Sequence, residues 1–248
     1  MAEGDPIKRI AMWSGPRNIS TAMMRAWENR SDTAVVDEPF YACYLAETGI
    51  QHPMRAEVLA SQPSDWNQVI EGALTAELPF GETIQYQKHM TQHMLSELNE
   101  DWFAGLSHTF LIRHPAHVVS SYGEKRSEVT AADVGFERQQ KLFDLVCQLT
   151  GSAPPVIESK DVLTNPKASL IALCKKLNVP FDENMLSWPA GPRDSDGVWA
   201  PHWYQNVEKS TGFAPYIEKE ISLTDKEQRV VDECLPYYQL LLEHKVVV

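Results

Sequence analysis

The sequence predicts a three-layer α/β/α fold with a mostly parallel central sheet. Two observations lead there. Apolar runs of strand length alternate with segments of helical periodicity, and no repeat, low-complexity tract or long linker interrupts them. The 248 residues suit a single large α/β domain, 1–248, with a full core. Ile7–Trp13 reads as the first strand and Ser20–Asn29 as the helix after it, followed by a short second strand, Thr33–Val36. Trp66, Val69, Ile70, Ala73 and Leu74 stand at helical spacing within Asp65–Leu78. Thr83–Gln87 is a candidate strand and Thr91–Leu98 a candidate helix. Ser107–Ile112 (SHTFLI) has the apolar character of a buried strand, and Arg113-His114-Pro115 opens a helix with Pro near its first turn. Ala131–Leu149 reads as a long amphipathic helix, Pro155–Glu158 as a short strand, and Pro166–Leu177 as a helix ended by Asn178. Asp182–Thr224, rich in Pro, Gly and Trp, is expected to be mostly loop. A last helix, Asp225–His244, is expected to break or restart near Pro236.

Hydrophobic residues make up 43% and charged residues 23%, an ordinary soluble balance, and no apolar run is long enough to span a bilayer. The opening MAEGDPIKRI lacks a basic segment followed by a long apolar core. Cys43, Cys147, Cys174 and Cys234 are scattered, with no Cys-x-x-Cys pair. These features point to a reducing, cytoplasmic compartment. With 22 Lys and Arg against 34 Asp and Glu, the net charge is −12, which opposes general binding to nucleic acid or polyanionic sugars. Any anion site must be local and built from a few placed cations and backbone N–H groups. The expected partner is a small molecule, with neither nucleic acid nor membrane involved.

In parallel sheets of this kind ligands sit at the carboxyl ends of the strands. The residues there are Ser14–Asn18, Asp37–Phe40, Lys88-His89, Arg113–Pro115 and Ser159–Asp161. The first group lies in AMWSGPRNISTAMMR, residues 11–25. A helix N-terminus has backbone N–H groups without intrahelical acceptors, and the helix dipole favours negative charge there. Ser14, Gly15, Pro16, Arg17, Asn18, Ile19, Ser20 and Thr21 would gather those groups, two hydroxyls and one guanidinium around an anion. The plainer alternative has Asn18 or Ser20 capping the helix and Arg17 solvated. The Gly-Lys-Ser/Thr ending of an ATP-binding loop is missing. Residues 110–122, FLIRHPAHVVSSY, place Arg113 at a strand end and Ser121 about two helical turns further on.

Together these stretches resemble the sulfotransferases that use 3′-phosphoadenosine 5′-phosphosulfate (PAPS). Pro16-Arg17-Asn18-Ile19-Ser20-Thr21 is similar to the family's Pro-Arg-Ser-Gly-Thr-Thr type of loop for the 5′-phosphosulfate. Arg113, Pro115 and Ser121 are similar to its Arg-x-Pro motif and following Ser, which hold the 3′-phosphate. PPVIESKDVLTNPKASLIALCKKLNVPF resembles the family's strand, Glu–Leu loop, Pro-led helix and Leu-x-Val/Ile-Pro-Phe ending. The resemblance spans about residues 7 to 181 in the family's order. It implies a P-loop NTPase-like sulfotransferase fold and PAPS as co-substrate. There are departures. Ile19 stands where many members have Gly, and a β-branched residue is expected to bar left-handed backbone there. The family's C-terminal Arg-Lys-Gly segment is absent. Trp199–Phe213 (WAPHWYQNVEKSTGF) could replace it, with Lys209, Ser210, Thr211 and Gly212 as phosphate-capable groups, or it could be a surface loop with aromatic anchors.

Sulfuryl transfer needs a positioned donor, stabilised charge on the leaving phosphate, and removal of the acceptor's proton. The resemblance implies that Arg17 contacts the 5′-phosphate and the bridging oxygen, joined by Ser20 and Thr21. Arg113 and Ser121 would grip the 3′-phosphate, where a planar guanidinium binds bidentately. No Asp-rich metal site is evident, in keeping with a metal-free reaction. Two candidates for the base remain open. Glu38 in VVDEPFY follows the second strand, and several family members resemble this in placing a Glu base there. Lys88, His89 and His93 in QKHMTQHM form the competing site, with His89 as base and Lys88 neutralising the leaving group. The acceptor, a hydroxyl or an amine, is unidentified. Trp66, Trp102, Trp188, Trp199 and Trp203, with Phe40, Tyr41 and Tyr44, could line its pocket or simply build the core. Rival functions are a kinase-like phosphotransferase, which the missing Gly-Lys-Ser/Thr disfavours, and a non-catalytic nucleotide-binding relic, which Ile19 favours.

Overall fold

The computed structural model describes residues 7–78, 81–95, 101–124, 128–218 and 220–248. Five strands, β1 (Lys8–Ser14), β2 (Thr33–Asp37), β3 (Ile84–Met90), β4 (Ser107–Ile112) and β5 (Val156–Glu158), form one sheet. Their order is β2-β3-β1-β4-β5, and every neighbouring pair is parallel. β1 shows why such a sheet is covered on both sides. Ile10 and Met12 face one layer, Ala11 and Trp13 the other, and all four are fully buried.

The first helix, α1 (Ser20–Glu28), packs Met23, Met24 and Trp27 against the Ile10 and Met12 side. Between β2 and α4 (Trp66–Thr75) the chain forms α2 (Tyr41–Thr48) and α3 (Arg55–Ser61), neither anticipated from sequence. Both lack a side-chain cap, having Phe40 and Met54 at their N-cap positions, so the usual polar start signal is missing. By contrast α4 starts where Asp65 accepts from the Gln68 N–H at 2.9 Å. After β3 come a 3₁₀ turn, Thr91–His93, where a helix was expected, and a second 3₁₀ segment, Asp101–Gly105; residues 96–98 of the expected helix lie outside the described residues.

β4 leads into α5 (Pro115–Gly123), with Pro115 in its first turn as expected. The long helix expected over Ala131–Leu149 is cut into α6 (Ala131–Val134) and α7 (Phe136–Thr150) by Gly135, whose φ is 69°. β5 runs into α8 (Ser159–Thr164) and then α9 (Pro166–Lys176). Asp182–Thr224 carries little regular structure, a 3₁₀ turn at Glu183–Leu186 and α10 (Ala200–Trp203). The expected break near Pro236 does not occur: α11 (Asp225–Leu242) is one helix. Val231, Cys234, Tyr238 and Leu241 keep a buried stripe on both sides of the proline, so tertiary packing carries the helix across it.

Side chains of α1 and α9 cover one sheet face, and those of α4, α5, α7 and α11 cover the other. β1 therefore sends its helix to one face while its neighbour β4 sends α5 to the opposite face. The connections diverge at that junction, which opens a crevice at the carboxyl ends of the strands. No helix among the described residues is long and apolar enough to cross a membrane.

Gly15 fixes the path of the chain at the crevice. A Cβ there would lie 2.7 Å from the Val134 carbonyl oxygen, which belongs to backbone and cannot swing aside. Gly15→Ala is expected to destabilise the protein by about 1–3 kcal/mol, read as a lowered melting temperature. An unchanged melting temperature would show that the loop tolerates a different path.

Candidate functional site

A cleft of about 360 Å³ opens at these strand ends. The loop after β1 supplies Pro16–Asn18 and the first turn of α1, and Arg113, Ser121 and Tyr122 come from β4 and α5. Glu38, Tyr41, His52, Lys88, Gln92 and His93 form another part of the wall, and residues within Trp203–Ala214, with Met90 and Leu163, complete it.

Pro16–Thr21, Arg113 and Ser121 line this one cleft, but the backbone at Ile19 departs from expectation. Ile19 does adopt left-handed backbone, φ 61° and ψ 17°, as the N-cap of α1. That conformation costs a β-branched residue roughly 1–2 kcal/mol. Packing of Ile19 against the α1-side core offsets part of this. Arg17 (φ 61°) and Glu38 (φ 43°) are strained in the same sense, and all three line the cleft. The capping alternative does not hold: no side chain caps α1. Asn18 instead donates from Nδ2 to the Leu111 carbonyl at 3.2 Å, tying the loop to β4. The N–H groups of the first turn of α1 thus have no side-chain cap, and they stand beside the cleft-lining Ser20 and Thr21.

Arg17 donates from Nε to Ser121 Oγ at 2.9 Å, and Arg113 donates from Nη1 to the Arg17 carbonyl at 2.7 Å. Among the described residues neither guanidinium has a carboxylate partner. Burial and the nearby Arg17 both push the Arg113 pKa down. Ser121 accepts from Arg17 and keeps its own hydrogen to donate.

A second cluster is built by strand register. Asp37 and Lys88 are paired across β2 and β3. Lys88, 1% exposed, donates from Nζ to Asp37 Oδ1 (2.8 Å), Glu38 Oε1 (2.5 Å) and the Tyr204 hydroxyl (2.5 Å). Tyr204 also accepts from Trp199 Nε1 at 3.0 Å and donates to Asp37 Oδ2 at 2.8 Å. Two carboxylates face one ammonium, so the cluster carries a surplus negative charge. Burial first, and repulsion from Asp37, raise the Glu38 pKa; Lys88 opposes them. Lys88 itself stays firmly charged, its carboxylate partners outweighing burial. Glu38 Oε1 is held by Lys88, while Oε2 lies 3.9 Å from His93 Nδ1.

Other expectations are corrected. Lys88 and His89 lie inside β3, which the sequence reading ended at Gln87, and so point to opposite faces. His89 does not line the cleft. Its ring stacks on Trp13 at 4.4 Å, its Nε2 donates to Gln87 Oε1 at 3.0 Å, and burial pushes its pKa down to about 3. Lys88 spends all its hydrogens on Asp37, Glu38 and Tyr204, so it positions Glu38 rather than offering a free cation. In the Trp199–Phe213 segment, Ser210 and Gly212 line the cleft, but Lys209 and Thr211 do not. The Ser210 hydroxyl is engaged, accepting from Trp188 Nε1 (3.1 Å) and donating to the Val207 carbonyl (2.7 Å). Ser14 is fully buried and, like Gly15, shapes the loop without lining the cleft. Of the candidate acceptor aromatics, Tyr41 and Trp203 line the cleft; Phe40, Trp66 and Trp102 stack together in the core.

Asp37, Gln92 and Tyr204 were not singled out from sequence. Asp37 precedes Glu38 directly, and Tyr204 lies within the segment flagged for its phosphate-capable groups. Only the contacts of Lys88 show that Asp37 and Tyr204 belong together, and Gln92 joins them only through the cleft wall.

The sequence pattern of the family described as "Sulfotransferase domain" matches residues 8–244. Among curated proteins, branched-chain-amino-acid aminotransferase-like proteins 2 and 1 of Arabidopsis thaliana are 32% and 33% identical over 235 residues. The alignments cover 95% of this chain but 41% and 42% of those proteins, so the chain spans about two fifths of their length. Among solved structures, the sulfotransferase domain from the Synechococcus PCC 7002 olefin synthase superposes with a TM-score of 0.58 at 15% identity, covering 94% of this chain and 96% of that one. A sulfotransferase from Alicyclobacillus acidocaldarius gives 0.56 at 11% identity, covering 97% of each chain. These likenesses match the α/β fold with its parallel central sheet.

Proposed function

The chain belongs to the sulfotransferase domain family, and we propose that it transfers a sulfuryl group from PAPS to a hydroxyl or amine of a small-molecule acceptor. One observation carries the reading: Arg17 and Arg113, without carboxylate partners among the described residues, flank an uncapped helix N-terminus in the same cleft as the Lys88-held Glu38 carboxylate. Bound PAPS supplies an activated sulfuryl group on a phosphate that can leave. The N–H groups of α1, with Ser20, Thr21 and Arg17, bind the 5′ side and stabilise charge on the leaving oxygen. Arg113 and Ser121 bind the 3′-phosphate, and Glu38 removes the acceptor's proton. The contact between Arg17 and Ser121 fits one ribose carrying both phosphates, because the two anion sites are then neighbours.

The test is calorimetry with the product nucleotide 3′-phosphoadenosine 5′-phosphate (PAP), AMP and ATP. PAP is expected to bind tightest. Arg113→Ala should weaken PAP by about 1.5–3 kcal/mol, the worth of a charged hydrogen bond, and AMP much less. Preference for ATP would favour a phosphotransferase. Equal losses for PAP and AMP would remove Arg113 from the 3′-phosphate.

A further inference from the structure

His93 is 3% exposed, lines the cleft, and keeps Nδ1 buried with no hydrogen-bond partner among the described residues. Such a nitrogen is costly unless something pairs with it. Its nearest carboxylate oxygen, Glu38 Oε2, is 3.9 Å away, too far for a hydrogen bond. One oxygen placed about 2.8 Å from each atom would satisfy both. The ring is oriented by stacking on Tyr41 (centroids 4.5 Å, 10° between planes) and Tyr44 (5.0 Å, 25°).

We infer that His93 is a further catalytic residue, whose Nδ1–H donates to the acceptor's hydroxyl oxygen while Glu38 Oε2 takes that hydroxyl's proton. This rests on the sulfuryl-transfer reading above. Burial first, then the fields of His52, Lys88 and His89, keep His93 neutral, so it carries one N–H. The carboxylate beside Nδ1 favours that nitrogen as its place. The pair thus presents one donor and one acceptor to a single atom. A hydroxyl can accept and donate at once, whereas an ammonium can only donate. The acceptor class that fits is an alcohol or phenol, with water as the smallest member.

In the step, the acceptor O–H bond breaks and its proton passes to Glu38 Oε2. The oxygen's electron pair forms the new O–S bond. The S–O bond to the nucleotide phosphate breaks, its electron pair staying on the phosphate oxygen. The Nδ1–H stabilises charge developing on the attacking oxygen and fixes its direction.

Water serves as the acceptor in the test, because the natural one is unidentified. PAPS hydrolysis, PAP affinity and melting temperature are measured for the wild type, His93→Asn and His93→Phe. His93→Phe is expected to lower hydrolysis by on the order of 10²-fold with PAP affinity unchanged. His93→Asn, whose amide N–H can take the place of Nδ1–H, should stay within about threefold of wild type, since the hydrogen bond is retained. A crystal structure of the protein without nucleotide should show an oxygen within hydrogen-bond distance of both Glu38 Oε2 and His93 Nδ1. The inference is overturned if His93→Phe hydrolyses normally, if both variants fall equally, or if that gap is empty or closed by a protein atom. Failure of the wild type to bind PAP would sink the donor reading instead; the crystallographic oxygen then decides for His93.

Discussion

Glu38→Gln is expected to lower sulfuryl transfer by roughly 10²–10⁴-fold, the range for a positioned base, while PAP still binds. Gln keeps the shape and can still accept from Lys88 through its amide oxygen, but it cannot take a proton. The pH profile separates this loss from a packing defect. Burial and Asp37 raise the Glu38 pKa, and the base works only when ionised. Wild-type turnover should therefore rise with pH along a limb displaced above the ordinary carboxylate range, and Glu38→Gln should lack that limb. His89, pushed down to about 3, is deprotonated across the same range and would give no such limb. His89→Asn is the parallel control. If Glu38→Gln retains both rate and limb, the base is another group. Lys88 is a poor probe, because removing it leaves Asp37 and Glu38 buried without their shared cation.

Arg17→Ala is the second large effect expected. Arg17 reaches Ser121 through Nε, which leaves the rest of its guanidinium for the ligand. Its loss should weaken PAP by about 1.5–3 kcal/mol through the missing charged hydrogen bonds. Turnover should fall further, by on the order of 10²–10³-fold, because charge on the bridging oxygen develops only in the transition state. Arg17→Lys restores the charge without the planar fork and should recover affinity better than turnover. Parallel loss of affinity and turnover would make Arg17 a binding residue only. Ser121→Ala separates the arms, since it removes the Nε partner while leaving the guanidinium in place.

The alternation of β1, α1, β4, α5, β5 and α9 was legible in the sequence because each carries its own periodicity or start signal. Pro115 opens α5, and Asn178 follows α9 with φ 53°. That Arg17, Ser20 and Thr21 share a cleft with Arg113 and Ser121 was legible too, since the first three are near neighbours in sequence and the other two stand at the end of β4 and on the helix after it. Glu38 stood out by its place after β2.

What remained hidden depended on side-chain direction and on partners distant in sequence. β3 reads IQYQKHM, too polar to announce a buried strand, yet all seven residues are buried. It is buried because its polar groups find partners only in the fold: Gln87 donates to the Ala73 carbonyl at 2.6 Å, and Lys88 meets Asp37 and Tyr204. Ending that strand three residues early put Lys88 and His89 together in a loop; true strand geometry sends them to opposite faces. α2 and α3 lack capping residues at their N-cap positions, and a first-turn N–H of α2, that of Ala42, finds its acceptor only in the fold, at Gln62 Oε1 (3.2 Å). The left-handed backbone of Ile19 runs against its own preference and persists because the loop is tied by Asn18 to β4 and by its carbonyl to the Ser159 hydroxyl at 3.0 Å. Sequence supplied part of the site's membership, Pro16–Thr21, Glu38, Lys88, Arg113 and Ser121 among it. The register of β2 on β3 and the return of Tyr204 decided which of them meet, because a cross-strand contact is set by hydrogen-bond pairing that no local pattern encodes.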